Sequence, residues 1–343
     1  MSLITNALAR TARRLLTSLP ALLGVVVFTF ILMRVLPGDP AVFFASGSNA
    51  GPEQIAEIRR QLGLDRSMPV QLGYYIADIA HGRLGQSMMT GRGVVQDMQD
   101  RLPASLELTF CALALALALA VPLGVLAALK VGSSVDHFVR MLCVTGVCIP
   151  PFVSGLLLIY FFYYKLGMAP DPTGRLDIFI TPPDRLTGFY LIDFLLAGDR
   201  DGWWSAFKQL VLPAATMALF VLAPIARITR ASMLTVLGSD FIRTARSVAL
   251  SPWRITVVYA LRNAILPVLT IAGIVFSTML GANVLVEKVF SWPGVASYAL
   301  DALLASDYAP VQGFVLLMAS IFVIVNLVVD LLYGVADPRV SVE

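Results

Sequence analysis

The residues of this chain that could ligate a metal are two histidines and three cysteines, and their spacing does not suit that chemistry. His81 and His137 lie 56 residues apart, whereas HExxH zinc proteases place their two histidines on one helical face. Cys111, Cys143 and Cys148 all lie in apolar stretches, and no two of them form a CxxC pair. We interpret the cysteines as small apolar packing residues and expect no metal site.

Phosphate-binding and hydrolytic motifs are missing as well. A phosphate loop requires GxxxxGK[ST], whose backbone amides and lysine hold the phosphates. None of the four lysines follows a glycine, and the sequence contains no GxSxG. We therefore expect no catalytic residue, no bound cofactor and no ATPase site in this chain.

The segment that most suggests a function is DFIRTARSVALSPWR, residues 240–254, which lies between two long apolar runs. Its apolar residues follow the i, i+4, i+7, i+8 spacing of one helical face: Phe241, Ala245, Val248 and Ala249. Arg243 and Arg246 lie on other faces. We therefore predict an arginine-bearing amphipathic helix.

Both ends of this predicted helix carry their own signals. Ser239 suits the N-cap, and Asp240 places a negative charge at the N-terminal end of the helix dipole. Pro252 disfavours helix for the residue before it. The helix has two interpretations, a basic loop lying on anionic lipid or a docking element for a protein partner, and periodicity alone does not separate them.

The composition is that of an integral membrane protein. Hydrophobic residues make up 58% of the chain and charged residues 14%, and the mean hydropathy is +0.80. Typical globular proteins are about 45–50% apolar and about 25% charged. We expect the chain to lie in a lipid bilayer and to have no nucleic-acid partner.

Six stretches approach the roughly 20 apolar residues that a membrane-spanning helix needs. They are residues 14–34, 106–129, 139–164, 211–232, 264–286 and 311–333. The first is longer than the about 7–15 apolar residues of a signal peptide and lacks a convincing cleavage site, so we predict that it is retained. The fold class predicted is therefore an all-α membrane protein with six transmembrane helices.

The positive-inside rule orients these spans. Basic residues are concentrated in the tail 1–13, in the loop between the second and third spans, in the loop 233–263 and in the tail 334–343. Both termini are therefore expected in the cytoplasm. The segments 35–105 and 165–210 are then external, and the first should contain two short helices, GPEQIAEIRRQLG and PVQLGYYIADIAHG, closed by Gly63 and Gly82.

The ionisable residues of the spans lie near span ends: Arg34, Glu107, Glu287 and Asp330. We expect interfacial positions for Arg34 and Glu107. The deepest polar residues of the fifth span are Ser277, Thr278 and Asn283. For these three we favour hydrogen bonding between helices, with contact to a substrate in a pathway as the alternative.

The segment 240–267 resembles the cytoplasmic loop of ATP-binding-cassette importer permeases of the dipeptide, oligopeptide and nickel branch, which typically reads DYIRTARAKGL and then ALRNAxxP. Further segments resemble that family in the same order along the chain: LPGDP (36–40), HGRLGQS (81–87), LTGFYLID (186–193), FSWPG (290–294), DYAPVQG (307–313) and NLVVDLLYGVADPR (326–339).

The resemblance implies a type I ABC importer permease fold in a bacterial inner membrane. It implies a second homologous permease subunit, an external solute-binding protein and two cytoplasmic ATPase subunits that bind ATP and Mg²⁺. It also implies that the loop helix is the coupling helix that docks on an ATPase, and its residues here are Ser239, Asp240, Phe241, Ile242, Arg243, Thr244, Ala245, Arg246 and Ala249.

One position departs from the family pattern. Where relatives have a glycine in this loop, the chain has Ala249, and the preceding lysine is replaced by Val248. Because alanine disfavours positive φ, we expect either that the helix continues through Ala249 or that the turn is built differently.

The resemblance leaves the substrate open among dipeptides, oligopeptides, glutathione and chelated nickel, with peptides favoured. A self-contained secondary transporter is the main rival, and it would have a charged or repeat-related site at the bilayer midplane. We find no such site in the sequence.

Overall fold

The structure is a computed structural model, and it describes residues 17, 19–31, 51–61, 63 and 65–336. Within these ranges the regular elements are all helices, and the only β-pairing is an isolated bridge between Gln86 and Gly93. The all-α prediction is therefore confirmed. The predictions for residues 1–13, Arg34, LPGDP and most of the tail 334–343 fall outside the described residues.

The helices are numbered here in chain order. They are α1 (Leu19–Ile31), α2 (Pro52–Gln61), α3 (Met68–Ala80), α4 (Val94–Leu129), α5 (Ser134–Cys148), α6 (Pro151–Leu158), a π-helix (Ile159–Lys165), α7 (Tyr190–Ala197), α8 (Arg200–Leu237), α9 (Asp240–Ser247), a second π-helix (Arg254–Leu261), α10 (Arg262–Ala282), α11 (Val284–Val289), α12 (Val295–Leu304) and α13 (Tyr308–Ala336).

Four of the described helices are long and apolar enough to cross a membrane: Val94–Leu129, Arg200–Leu237, Arg254–Ala282 and Tyr308–Val329. They contain or overlap the second, fourth, fifth and sixth predicted spans. The first predicted span is described only in part, as the 13-residue helix α1. The helices that match the second and fourth predicted spans extend beyond the predicted stretches.

The third predicted span, residues 139–164, is divided in two. Helix α5 ends at Cys148, and Pro150 has an extended backbone with φ −57° and ψ 140°. A proline disfavours helix for the residue before it, and here Pro150 and Pro151 follow one another. The two halves, Ser134–Gly146 and Pro151–Lys165, lie at 104° to each other, so this stretch is a bent pair rather than one straight helix.

The two short helices predicted in the segment 35–105 are present as α2 and α3. Gly63 and Gly82 follow them with φ of 63° and 72°, a left-handed conformation that glycine adopts without steric cost. Both predicted helices, and the glycines that follow them, are confirmed.

The chain divides into two compact units. The first comprises Met1–Ser105 and Pro293–Ile324, and the second Leu106–Trp292 and Val325–Glu343. The core of the first unit contains Val94, Met98, Val295 and Tyr298. The second unit is built around α8, which packs against α5, α6, α7 and α10.

Helix α8 is the longest element of the second unit, with 38 residues and two internal prolines, Pro213 and Pro224. Its first turn is capped by Asp199, whose carboxylate accepts a hydrogen bond from the Gly202 amide at 3.0 Å. Near its other end α8 packs closely on α4. A Cβ at Gly124 would lie 2.6 Å from the Thr229 Cβ, so only glycine permits this approach.

Candidate functional site: the short helix α9 and its supports

The helix predicted over the segment 240–249 is present as α9, Asp240–Ser247. Ser239 precedes it with the extended backbone of an N-cap residue, φ −74° and ψ 155°, but its side chain caps no amide. The Ser239 hydroxyl instead donates to the Val236 carbonyl at 2.5 Å. Ser239 thus occupies the predicted position and uses its hydroxyl to tie α9 to the end of α8.

The C-terminal end of α9 is a Schellman motif with alanine in the place that glycine usually takes. The Leu250 amide donates to the Ala245 carbonyl at 3.3 Å, and the Ala249 amide donates to the Arg246 carbonyl at 3.0 Å. Ala249 has φ of +56°. Both alternatives expected from the sequence are therefore wrong: the helix does not continue through Ala249, and the turn is the one a glycine would make.

The face of α9 that is buried differs from the face predicted by apolar spacing. Ile242 is fully buried and Ala245 nearly so, whereas Phe241 and Val248 are 45% and 65% exposed. Of the four apolar residues predicted to share one face, only Ala245 is buried, and Phe241, Val248 and Ala249 are exposed. The helix rests on Ile242 and Ala245, and these two side chains are not available to a partner.

Three longer elements support this buried face. Ile242 and Ala245 share one apolar cluster with Ala128 at the end of α4, Met233 near the end of α8, and the beginning of the span Arg254–Ala282, from which Ile255, Ala260 and Ala264 contribute. Helix α9 is thus fixed to the ends of three apolar spans. A displacement of α9 would act on all three.

The opposite face of α9 is open to solvent and carries both charge and apolar area. The side chains of Asp240 and Arg243 are 92% and 80% exposed and lie 3.4 Å apart. An exposed ion pair of this kind contributes little stability. Arg246 is also exposed, and Trp253, just after the turn, is 75% exposed. Arginines beside exposed aromatic and aliphatic groups are typical of protein contact surfaces.

Replacing Ala249 with glycine is expected to stabilise the protein. Relief of a left-handed alanine, worth about 1–2 kcal/mol, exceeds the about 0.4–1 kcal/mol that glycine costs through the unfolded chain. Thermal unfolding of the purified chain should therefore shift upwards by a few degrees. Ala77→Gly, in the exposed middle of α3, is the control and should lower the midpoint; a lower midpoint for Ala249→Gly would contradict the motif described above.

A group of polar contacts joins α5 to α8 near the apolar cluster that supports α9. The buried carboxylate of Asp136 accepts from Arg230 at 2.7 and 3.0 Å and from the Gly132 amide at 3.0 Å. Arg140 lies 3.5 Å from the same carboxylate. These contacts attach the turn between α4 and α5 to α8.

The second unit contains a buried ion pair that the sequence did not reveal. Glu107 and Arg175 are both buried, with Arg175 Nη2 2.5 Å from Glu107 Oε2. The Leu191 amide donates to the other carboxylate oxygen at 2.8 Å, and the guanidinium carbon lies 3.4 Å from the centre of the Tyr190 ring. The Glu107 carboxylate is thus enclosed by protein, and its interfacial position stays a prediction.

The segment LTGFYLID ends in Asp193, whose carboxylate holds the turn at the start of this segment by hydrogen bonds. Asp193 accepts from the amide and the hydroxyl of Thr187 and from the Gly188 amide, at 2.8, 2.6 and 2.9 Å. Burial alone would raise the pKa of Asp193, but these hydrogen bonds outweigh it, and the pKa lies below its ordinary value. The Gly188 carbonyl accepts from Arg175 at 2.9 Å, so this turn also holds the buried ion pair in place.

In the first unit, two segments that are 220 residues apart meet through Asp307. Its Oδ2 accepts from the Ser87 hydroxyl and the Met88 amide at 2.7 Å and from the Met89 amide at 3.2 Å. HGRLGQS thus lies against DYAPVQG. Beside them the Tyr298 hydroxyl donates to Asp97 at 2.9 Å. Burial and the neighbouring carboxylates raise the pKa of Tyr298 to about 12, so the phenol stays protonated and can donate.

Removal of the Asp307 carboxylate should loosen the loop 85–93. Asp307→Ala leaves one hydroxyl and two amides without their acceptor, at a cost of about 1–3 kcal/mol. Amide hydrogen exchange in residues 85–93 should speed up at least about tenfold, and Asp307→Asn, which keeps one acceptor oxygen, should have a smaller effect. Asp184→Ala on the surface is the control. Unchanged exchange in Asp307→Ala would show that other contacts hold the loop.

The three pathway candidates of the fifth span have different surroundings. Ser277 and Thr278 donate to the carbonyls of Gly273 and Ile274 one turn earlier. Asn283 is buried and donates to Glu287 at 3.1 Å, while its Oδ1 has no partner among the described residues. The hydrogen bonds of Ser277 and Thr278 lie within their own helix rather than between helices.

Comparison with known proteins adds to this geometry. The sequence pattern of the "Binding-protein-dependent transport system inner membrane component" matches residues 120–342, and the pattern of the corresponding N-terminal region matches residues 8–109. The chain is 44% identical over 318 residues to a probable D,D-dipeptide transport system permease protein of Escherichia coli K12, covering 93% of each chain.

Two further relatives are similar over nearly their whole length. The di/tripeptide transport system permease protein of Pseudomonas aeruginosa UCBPP-PA14 is 42% identical over 329 residues, which are 96% of this chain and 97% of the relative. The dipeptide transport system permease protein of Escherichia coli K12 is 42% identical over 330 residues, with the same two coverages.

Proposed function

We propose a function from the family to which this chain belongs, the inner membrane components of binding-protein-dependent transport systems. The chain is the permease subunit of an ATP-binding-cassette importer for dipeptides and other short peptides. The observation that carries the substrate class is the 42–44% identity, over 93–97% of each chain, to permeases named for dipeptide and di/tripeptide transport. This favours peptides over glutathione or chelated nickel.

The exposed face of α9 would be the docking surface for an ATPase subunit. We define this surface by Phe241, Arg243, Arg246 and Val248. Support comes from its exposed arginines and apolar side chains and from the attachment of α9 to three span ends. Ser239, Ile242 and Ala245, which the sequence also assigned to docking, would act through that attachment. ATP and Mg²⁺ would be bound by the ATPases.

The remaining partners follow from the mode of transport. A second, related permease would form the other half of the pathway, and a solute-binding protein would deliver the peptide from outside. The concentration of basic residues in the tails and in the loop around α9 favours a cytoplasmic location for these segments. Residues 165–210 would then face the binding protein or cap the pathway.

The test is reconstitution of the chain in proteoliposomes with a second permease, two ATPases and a solute-binding protein from the same organism. Labelled dialanine should accumulate only when ATP and the binding protein are both present, and excess glutathione or nickel chelate should not compete. Accumulation driven by an ion gradient without ATP would refute the proposal in favour of a secondary transporter. If glutathione or nickel chelate competes at the same concentration as dialanine, the assignment of peptides as the substrate class would be wrong.

A further inference from the structure

A cavity of about 530 Å³ lies between α5 and α8 in the second unit. Small-molecule sites usually occupy about 300–1,000 Å³ and combine apolar walls with a few polar groups that fix orientation. Here valine, alanine and cysteine side chains form most of the wall, and the polar groups are three arginines, Arg140, Arg227 and Arg230. The cavity therefore has the size and the lining of a site for a small anion with apolar parts.

The charges around this cavity do not cancel. Arg230 and Arg140 share the single carboxylate of Asp136, at 2.7 and 3.5 Å. Arg227 forms no ion pair or hydrogen bond with any residue that the structure describes. Three guanidinium groups thus face one carboxylate, and the excess charge lies on Arg227. The Arg227 side chain is exposed, so a ligand that enters the cavity can reach its guanidinium group.

Guanidinium suits a carboxylate in particular, because its planar fork matches both oxygens. Under the proposed function, the molecules that pass this chain differ in their side chains and share a C-terminal carboxylate. The one arginine of the cavity without a carboxylate partner would hold that shared group and leave the variable side chains to non-specific apolar contact. The headgroup of an anionic phospholipid is the competing occupant.

We propose that this cavity is a transient binding site for the C-terminal carboxylate of the transported peptide, with Arg227 as its partner. The inference rests on the proposed function. Arg230 acts as a positioning residue, since its bond to Asp136 fixes the wall on which Arg227 lies one turn away. The site would select for a free carboxylate and not for a particular sequence.

Two cysteines in the cavity wall, Cys143 and Cys148, provide a readout that does not depend on transport. The purified importer in nanodiscs of phosphatidylcholine, without binding protein, would be treated with a neutral methanethiosulfonate. The modification of each cysteine would be followed by mass spectrometry, with dialanine and dialanine amide as probes. Cys111, outside the cavity, reports non-specific effects.

Dialanine is expected to slow the modification of Cys148 at least about fivefold at saturation, and dialanine amide should have no such effect. Arg227→Gln should weaken the protection by dialanine at least about tenfold in concentration, as expected for a hydrogen bond to a charged group. Arg227→Lys should retain part of the protection. Arg200→Gln, the same change at the far end of α8, should retain all of it.

Equal protection by acid and amide, or full protection in Arg227→Gln, would overturn the proposal. Nanodiscs that contain phosphatidylglycerol form the second arm. If this lipid protects the cysteines through Arg227 and dialanine does not, the site binds lipid and the proposal is wrong. Import of dialanine by the same preparation is measured separately, so that normal import without a difference between acid and amide would refute this inference alone.

Discussion

Replacement of Arg175 by glutamine is expected to destabilise the second unit by about 3–5 kcal/mol, the usual cost of breaking one partner of a buried pair. Glu107 would keep its place and lose its counter-charge, since both side chains are less than one tenth exposed. The Gly188 carbonyl and the Tyr190 ring would lose their contact with the guanidinium as well. We therefore expect little folded chain after extraction at growth temperature, as measured by size-exclusion chromatography.

An exposed ion pair of the same chain provides the control. Arg83 and Asp78 lie 2.7 Å apart with both side chains more than half exposed, so Arg83→Gln should cost at most about 1 kcal/mol. The double variant Glu107→Gln with Arg175→Gln should recover part of the loss, because no buried charge then remains. Equal yields for Arg175→Gln and Arg83→Gln would show that the pair is not a major support.

Reversal of charge at Arg243 is expected to abolish peptide import while leaving the permease folded. The side chain is 80% exposed, so glutamate can replace it without burying a charge. In a docked complex a carboxylate would oppose the groups that an arginine satisfies, and such like-charge contacts cost several kcal/mol. ATP-dependent accumulation of dialanine in proteoliposomes should fall at least about tenfold.

Arg200→Glu is the control for net charge, because it reverses an exposed charge at the other end of α8, away from α9. The importer with this change should import dialanine normally. Co-purification of the ATPases shows where the defect lies. Loss of the ATPases, or their retention with turnover that no longer responds to substrate, would both agree with a docking role. Retained ATPases with normal substrate-stimulated turnover and import would exclude this role for α9.

The sequence could predict elements whose ends are marked by local chemistry. Helices α2 and α3 were found because a proline near the start and a glycine past the end act within a few residues. The bend at Pro150 was not predicted, since a proline within a membrane span is often tolerated. The exact extent of α8 was also out of reach, because it continues beyond its apolar stretch at both ends.

The candidate site was only partly predictable for a related reason. Apolar spacing located α9 but did not single out Ile242 as its buried anchor, since periodicity shows which residues are apolar and not which are covered by neighbouring helices. Glu107 and Arg175 are 68 residues apart, and Ser87 and Asp307 are 220 apart. No local signal links such positions. For Ala249 the general rule against positive φ failed. The hydrogen bond from the Leu250 amide to the Ala245 carbonyl offsets part of the backbone strain at Ala249.

Helix α8 begins at Arg200, just after α7, and ends at Leu237, just before α9. Its length is about 57 Å at 1.5 Å per residue. A helix of this length could serve as a single rigid strut, so that a movement of α9 would appear undiminished beside α7. Pro213 and Pro224 prevent this, because each removes a hydrogen bond of the helix and creates a point of bending. Bending at these two positions would divide α8 into three segments, so that a movement imposed at one end would become a change of angle near its middle.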